Sequence, residues 1–285
     1  MHFTKMEGAG NDYVYVDLFK EKVDDPSSLA KAVSDRHFGI GSDGLILIGP
    51  SEKADFTMDM YNADGSRGKM CGNGIRCVGK YVYDHGLTDK DTVTVETLSG
   101  IKELKLMVEE GKAAGARVDM GAASFEPADL PADTAYFGGY EGGPLAGAAL
   151  EAGGKEYKVW CVSMGNPHCV TFLESAEAVE GFKLDEIGPL FEKHAAFPEG
   201  VNAEFAAVFS ENKIRMRVYE RGSAETMACG TGACATAAAA VAAGLCSWPV
   251  EIVLNGGTLT IDQSEEGHIL MTGPAREAFE GEWKD

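Results

Sequence analysis

The hydrophobic pattern begins with alternation. Tyr13-Val14-Tyr15-Val16 interleaves aromatic and β-branched residues just after a glycine turn at Gly8-Ala9-Gly10, so Phe3 to Asp17 reads as strand, turn, strand. Phe56 to Tyr61 alternates in the same way, Val93 to Val95 is strand-like, and Lys102 to Val108 puts Lys and Glu on one face of a further strand. Between these, Pro26 to Val33 predicts a short helix. Asp35 to Gly44 predicts a glycine-rich loop feeding a strand at Leu45–Ile48, and Asn62 to Ser66 is turn chemistry. Ile75 to Tyr83 predicts a helix that ends near Gly86. A run rich in Gly, Ala, Pro and acids, Ser124 to Gly154, then breaks the pattern and reads as a linker with an irregular lead-in.

After that run the same order returns. Strands are expected at Tyr157–Val162 and Cys169–Leu173 around a turn at Asn166-Pro167-His168, then a helix at Leu184–His194 and a loop at Gly200-Val201-Asn202. Strands at Phe205–Phe209 and Ile214–Tyr219 lead to an alanine-rich run, Ala233–Ala243, and three short strands at Ile252–Leu254, Thr258–Ile261 and Ile269–Thr272 close the chain. A constant offset of 158 (229 − 71) superposes Met58 on Met216, Tyr61 on Tyr219, Cys71 on Cys229, Gly72 on Gly230 and Gly74 on Gly232. It also pairs Gly86 with Gly244, Leu87 with Leu245, Gly44 with Asn202 and Met6 with Met164. We therefore expect an α+β chain of two pseudo-symmetric, strand-rich domains, each wrapped around one central helix, facing across a cleft. The expected halves are residues 1–122, completed by a C-terminal strand at about 273–285, and residues 123–272.

Composition narrows the functional classes. Of 285 residues, 45% are hydrophobic and 25% charged, as in a globular domain, and no apolar run is long enough to span a bilayer. The start, Met1 to Met6, has no signal-peptide pattern, which points to the cytoplasm. A net charge of -20 repels phosphate backbones and anionic membranes, so neither nucleic acid nor a membrane is an expected partner. Seven cysteines in a chain of this length are expected to be free thiols in a reducing compartment. Cys71 and Cys77 are separated by five residues and Cys229 and Cys234 by four, which is not metal-ligand spacing, so no metal is expected.

The chemistry lies in the repeated stretch, Met70-Cys71-Gly72-Asn73-Gly74 and Ala228-Cys229-Gly230-Thr231-Gly232. A thiol where a glycine turn opens a helix feels the positive end of the helix dipole, which should lower its pKa. The next backbone amides have no acceptor within the helix and can hold a carboxylate, and glycine lets that backbone come close. Two such termini would clamp an α-carboxylate and leave one sulfur on each face of the α-carbon, the arrangement for two-base proton exchange. Cys77, Cys161, Cys169, Cys234 and Cys246 read instead as small buried hydrophobes.

These stretches, with Lys5-Met6-x-Gly8-x-Gly10-Asn11-Asp12, Tyr61-Asn62-x-Asp64-Gly65-Ser66, Gly165-Asn166-Pro167-His168, Val201-Asn202-x-Glu204-Phe205 and Tyr219-Glu220-Arg221-Gly222, resemble the diaminopimelate epimerases over essentially the whole chain. That family is a group of cofactor-independent amino-acid epimerases of lysine and peptidoglycan precursor synthesis. The resemblance implies conversion of LL-2,6-diaminopimelate to the meso form, with Cys71 and Cys229 as the acid/base thiols and His168 and Glu220 handling their protons. It implies that Gly72, Asn73, Gly230 and Thr231 hold the reacting carboxylate and that Arg221 pairs with the distal one. Asn11, Asn62, Asn166 and Asn202, with Glu220, would orient the remaining polar groups of a small amino-acid substrate. Some members carry a substrate-contacting glutamine at Gly44, and some carry a dimer-interface tyrosine at Phe279, so a homodimer is expected.

Two other readings fit parts of the pattern. A proline or hydroxyproline racemase would share the two thiols, but Arg221 and the asparagines argue for a substrate with a second charged end. A thiol redox or metal-binding protein would need only the cysteines. A pyridoxal enzyme is disfavoured, because no glycine-flanked lysine motif stands out.

Overall fold

The structure is a computed structural model that describes residues 1–284. The chain forms two compact units, Met1–Asp119 with Thr272–Asp285, and Met120–Met271.

Each unit is built on the same ladder. In the first, Arg276–Glu282 pairs antiparallel with His2–Gly8, which pairs antiparallel with Asn11–Asp17; that strand runs parallel to Gly44–Gly49, which pairs antiparallel with Phe56–Asn62. Phe56–Asn62 runs parallel to Thr92–Thr97, followed antiparallel by Gly100–Glu109. In the second unit Ala146–Ala152, Lys155–Ser163, Pro167–Phe172, Asn202–Ser210, Lys213–Glu220, Val250–Val253 and Thr258–Gln263 follow in that order. The sequence of antiparallel and parallel steps is the same. The helices Pro26–Ser34 and Leu184–Glu192 lie in equivalent places, again 158 (184 − 26) residues apart.

Each parallel step requires a crossover connection. The step between the Phe56–Asn62 and Thr92–Thr97 strands carries the helix Gly72–Asp84, and the corresponding step of the second unit carries Gly230–Ala242. Of the second helix's residues, Gly230 and Gly232 through Ala240 are buried. A helix that is apolar on every side belongs inside a core, and alanine keeps it thin enough for strands to close around it. Both helices begin directly after the cysteine, earlier than the expected starts at Ile75 and Ala233. Gly72, Gly74, Gly230 and Gly232 are therefore first-turn helical residues and not a preceding glycine turn.

Two further expectations change. The stretch Ser124–Gly154 is not a linker: Leu130, Phe137, Leu145 and Leu150 are buried in the second unit's core with Phe191, Phe197 and Phe205. Their apolar side chains are scattered at no regular period, which hid them among the Gly, Pro and acids. The Met6–Met164 match is also accidental, because Met6 lies within a strand and Met164 within a hairpin turn.

Gly44 has a steric reason to be glycine. A Cβ there would lie 2.1 Å from the Tyr61 carbonyl oxygen and 2.8 Å from the Tyr13 ring. The main-chain contact cannot relax by a rotamer change, so Gly44→Ala is expected to lower unfolding stability by about 1–3 kcal/mol. A urea titration with an unchanged midpoint would contradict this.

Candidate active site

Each cysteine of the repeated stretch is the N-cap of its unit's central helix. Cys71 has φ -125° and ψ 117°, and its Sγ accepts the Gly74 N–H at 3.3 Å. Cys229 has φ -111° and ψ 110°, and its Sγ accepts the Gly232 N–H at 3.4 Å. Ser, Thr, Asp and Asn are the strong N-caps. Sulfur is a weak acceptor, so both helices carry a weaker cap than serine or aspartate would give.

The close packing of both first turns rests on a missing Cβ. At Gly74 it would stand 2.6 Å from Ile46 Cδ1, and at Gly232 it would stand 2.7 Å from Glu204 Oε1 and 3.3 Å from Cys229 Sγ. Ile46 and Glu204 are equivalent positions, 158 (204 − 46) apart, on the strands that run beside the helix starts. One unit thus presents a hydrocarbon to its helix terminus and the other a carboxylate.

In the first unit Cys71 Sγ donates to Asn11 Oδ1 at 3.1 Å, while Asn11 Nδ2 donates to Asp43 Oδ2 at 2.7 Å. Asp43 thereby fixes which end of the amide meets the thiol. Behind it Arg36 bridges Asp12 and Asp43 at 2.8 and 2.9 Å, and Lys5 pairs with Asp12 at 2.5 Å. Burial and the neighbouring Asp12 raise the Asp43 carboxyl. For Asp12 burial acts the same way, but Arg36 and Lys5 outweigh it and leave the carboxyl below its ordinary value. Asn73 is buried, and its Oδ1 accepts Arg76 Nη1 at 3.0 Å; Asn62 Nδ2 donates to Ser66 Oγ at 2.9 Å.

The second unit gathers more of the expected residues. His168 is fully buried, with Nδ1 2.6 Å from Glu204 Oε1 and Nε2 3.1 Å from Asn166 Oδ1. Asn166 Nδ2 donates to Thr231 Oγ1 at 3.3 Å, and Thr231 Oγ1 lies 3.6 Å from Cys229 Sγ. Asn202 Nδ2 donates to the Pro167 carbonyl at 3.0 Å, and its Oδ1 accepts the Arg221 N–H at 2.9 Å, so Asn202 locks the loop that carries Arg221. Arg221 Nη1 donates to the Glu199 carbonyl at 3.0 Å, and the Thr226 hydroxyl donates to Glu220 Oε1.

The strand register places His168 differently from expectation. It lies within a strand, paired with Asn202, where the first unit pairs Tyr13 with Gly44. Asn166 is the residue equivalent to Asn11, and Tyr13 is the residue equivalent to His168. Their offset is 155 (166 − 11), because the connections leading from those strands to the next ones differ in length by three residues. Asp43 and Glu204 had no assigned role in the sequence. The available signal for Glu204 was one acid inside an otherwise apolar strand, Asn202–Ser210, which calls for a buried partner.

The expected lowering of both thiol pKa values does not hold for Cys229. Burial drives it up, and Glu220 and Glu204 push further; the Thr231 hydroxyl and Gly232 amide offset only part of this. Burial also raises Cys77, to about 11, and Cys169, as befits thiols packed in a core.

Comparison with known proteins identifies the family. A profile of the diaminopimelate epimerase family matches residues 3–126 and 160–277. A protein named diaminopimelate epimerase from Agathobacter rectalis is 56% identical over 99% of both chains, and one from Acetivibrio thermocellus is 52% identical over 99% of this chain and 98% of its own. Among solved structures, a Bacillus anthracis phenazine biosynthesis protein of the PhzF family aligns with a TM-score of 0.71 at 17% identity, covering 100% of this chain and 99% of that one. A hydroxyproline epimerase from Agrobacterium vitis aligns at 0.62 and 14% identity, covering 99% and 90%. At such identities these two structures share the α+β fold alone. With full-length relatives above half identity and a family match spanning both sulfur-capped helices, this chain belongs to the diaminopimelate epimerase family.

Proposed function

We propose that this enzyme epimerises LL-2,6-diaminopimelate to meso-diaminopimelate by two-base proton exchange between Cys71 and Cys229, in the supply of lysine and peptidoglycan precursors. The observation that carries the mechanism is the pair of sulfur-capped helix N-termini, matched in backbone angles and amide contact. The reaction needs one thiolate to take the α-proton and one thiol to return a proton from the other side. First-turn amides at Gly72-Asn73 and Gly230-Thr231 suit the carboxylate that gains negative charge as the α-proton leaves.

In this reading His168 and Glu220 carry protons to and from the sulfurs, and Arg221 holds the distal carboxylate. Asn11, Asn62, Asn166 and Asn202 set the substrate's ammonium and carboxylate groups or the loops that meet them. Glu220 is close enough to Cys229 for its charge to raise the thiol, which fits a proton-handling role. A proline-type racemase lacks use for Arg221. No helix among the described residues is long and apolar enough to cross a membrane.

In deuterated water, LL-diaminopimelate should acquire α-deuterium while L-proline does not; label in proline alone would sink the substrate reading. Cys71→Ser and Cys229→Ser keep an oxygen cap on the helix, so both variants should fold and lose about 10²–10⁴-fold in turnover. Full activity in either would remove the two-base mechanism.

Alkylation tests the Cys229 environment. A raised pKa leaves less thiolate at neutral pH, so iodoacetamide should modify Cys229 more slowly than a free thiol there, and the rate should still be climbing above the ordinary thiol value of about 8.5. A plateau below that pH would contradict the assignment.

We also read the chain as a homodimer. Phe279, 49% exposed on the strand Arg276–Glu282, packs edge-on against Phe3 at 6.0 Å and leaves half of its own surface for a second copy. Sedimentation should show a dimer for the native chain and a monomer for Phe279→Glu; a dimer in both would move the interface elsewhere.

A further inference from the structure

Glu204 and His168 form the only buried acid–imidazole ion pair found among the described residues, both with fully buried side chains. Oε1 lies 2.6 Å from His168 Nδ1, and Oε2 has no hydrogen-bond partner. Such a group is costly to bury unless its partner compensates. The scaffold itself does not require it, because the first unit builds the same strand and helix contact with Ile46 against Gly74 and has Tyr13 in place of the histidine.

The hydrogen bonds fix where protons sit. Asn166 Nδ2 is directed to Thr231 Oγ1, so its Oδ1 is the atom facing His168 Nε2, and Nε2 must be the donor. One further proton bridges Nδ1 and Oε1. The pair therefore holds two protons and no net charge, which suits its complete burial. Charges that bear on it are those of Glu220 and, when ionised, Cys229.

We infer that Glu204 is a positioning residue for His168: it anchors Nδ1 and holds the second ring proton there, so that the Nε2 proton directed at Asn166 belongs to a doubly protonated ring that can give it up. This rests on the epimerase reading. When Nε2 releases its proton, the bridging proton stays with the pair, which passes from neutral to one negative charge. The proton is regained from a thiol or from solvent, and no bond other than N–H is made or broken on the ring. Burial raises the Glu204 carboxyl and His168 opposes that rise, in keeping with a proton shared between them.

The test combines nitrogen NMR with kinetics on the full-length protein. In free wild-type protein labelled with ¹⁵N at histidine, both ring nitrogens of His168 should be protonated at neutral pH; in Glu204→Gln, where Asn166 still accepts from Nε2 and the new amide can donate to Nδ1, Nδ1 should be bare. Glu204→Gln should lower kcat by about 10-fold or more with little change in KM, since the acid contacts the imidazole and not the substrate. In a His168→Gln background the same change should have no further effect on kcat. Glu204→Ile, which copies the residue of the equivalent position, should fold and behave like Glu204→Gln. A bare Nδ1 in wild type, an Nδ1 still protonated in Glu204→Gln, full kcat in Glu204→Gln, or an additive loss in the double variant would each overturn the inference. Failure of wild-type protein to exchange the α-proton of diaminopimelate would instead overturn the epimerase reading, and the ring measurement would still decide the pairing.

Discussion

The structure depends on one repeated constraint: a cysteine sulfur must cap a helix whose first turn is pressed against a strand with no room for a side chain. The cap fixes the sulfur by its contact with the third amide of the helix. The close approach fixes the helix start itself, because a methyl group at Gly74 or Gly232 would collide with the strand side chain behind it. Burial of the helix body then follows, and in the second unit it extends almost continuously from Gly230 through Ala240. An N-terminus located this rigidly suits the proton transfer proposed for it, since an acid/base group must stand within hydrogen-bonding reach of the atom it serves.

The sequence displayed this architecture wherever the two halves keep equal spacing. From the strand beginning at Gly44 or Asn202 through the end of the helix, the 158-residue offset survives, and Met58, Tyr61, Cys71 and Gly74 find their counterparts. It fails where the connections differ in length, so at an offset of 158 His168 falls on Gly10 although its counterpart in the ladder is Tyr13. The stretch from Ser124 to Gly154 was misread for another reason. Its buried leucines and Phe137 have neither a two-residue nor a 3.6-residue period, and periodicity detects only regular elements. Glu204 and Asp43 act by contacts between residues distant in sequence, with His168 and Asn11 respectively, and spacing does not display such pairs.

The two units share a backbone plan but not an electrostatic one. Around Cys71 the near groups are a neutral amide and, behind it, carboxylates tied to Arg36 and Lys5. Around Cys229 they are a threonine hydroxyl and the carboxylates of Glu220 and Glu204, the latter committed to His168. A duplicated scaffold thus supplies equal geometry, and substitutions such as Ile46 against Glu204 supply unequal chemistry.

The raised Cys229 thiol, at odds with the simple effect of a helix N-terminus, makes chemical sense under the proposed two-thiol exchange, whose substrate is a carbon acid. An α-proton beside a carboxylate is weakly acidic, and a thiolate stabilised too far by dipoles and cations would be a correspondingly weak base. Burial and adjacent carboxylates keep the sulfur basic, while the Gly232 amide and Thr231 hydroxyl keep it in place. The helix terminus serves position first. In the exchange proposed above, its remaining first-turn amides would serve the charge that develops on the substrate carboxylate, where stabilisation lowers the barrier without weakening the base.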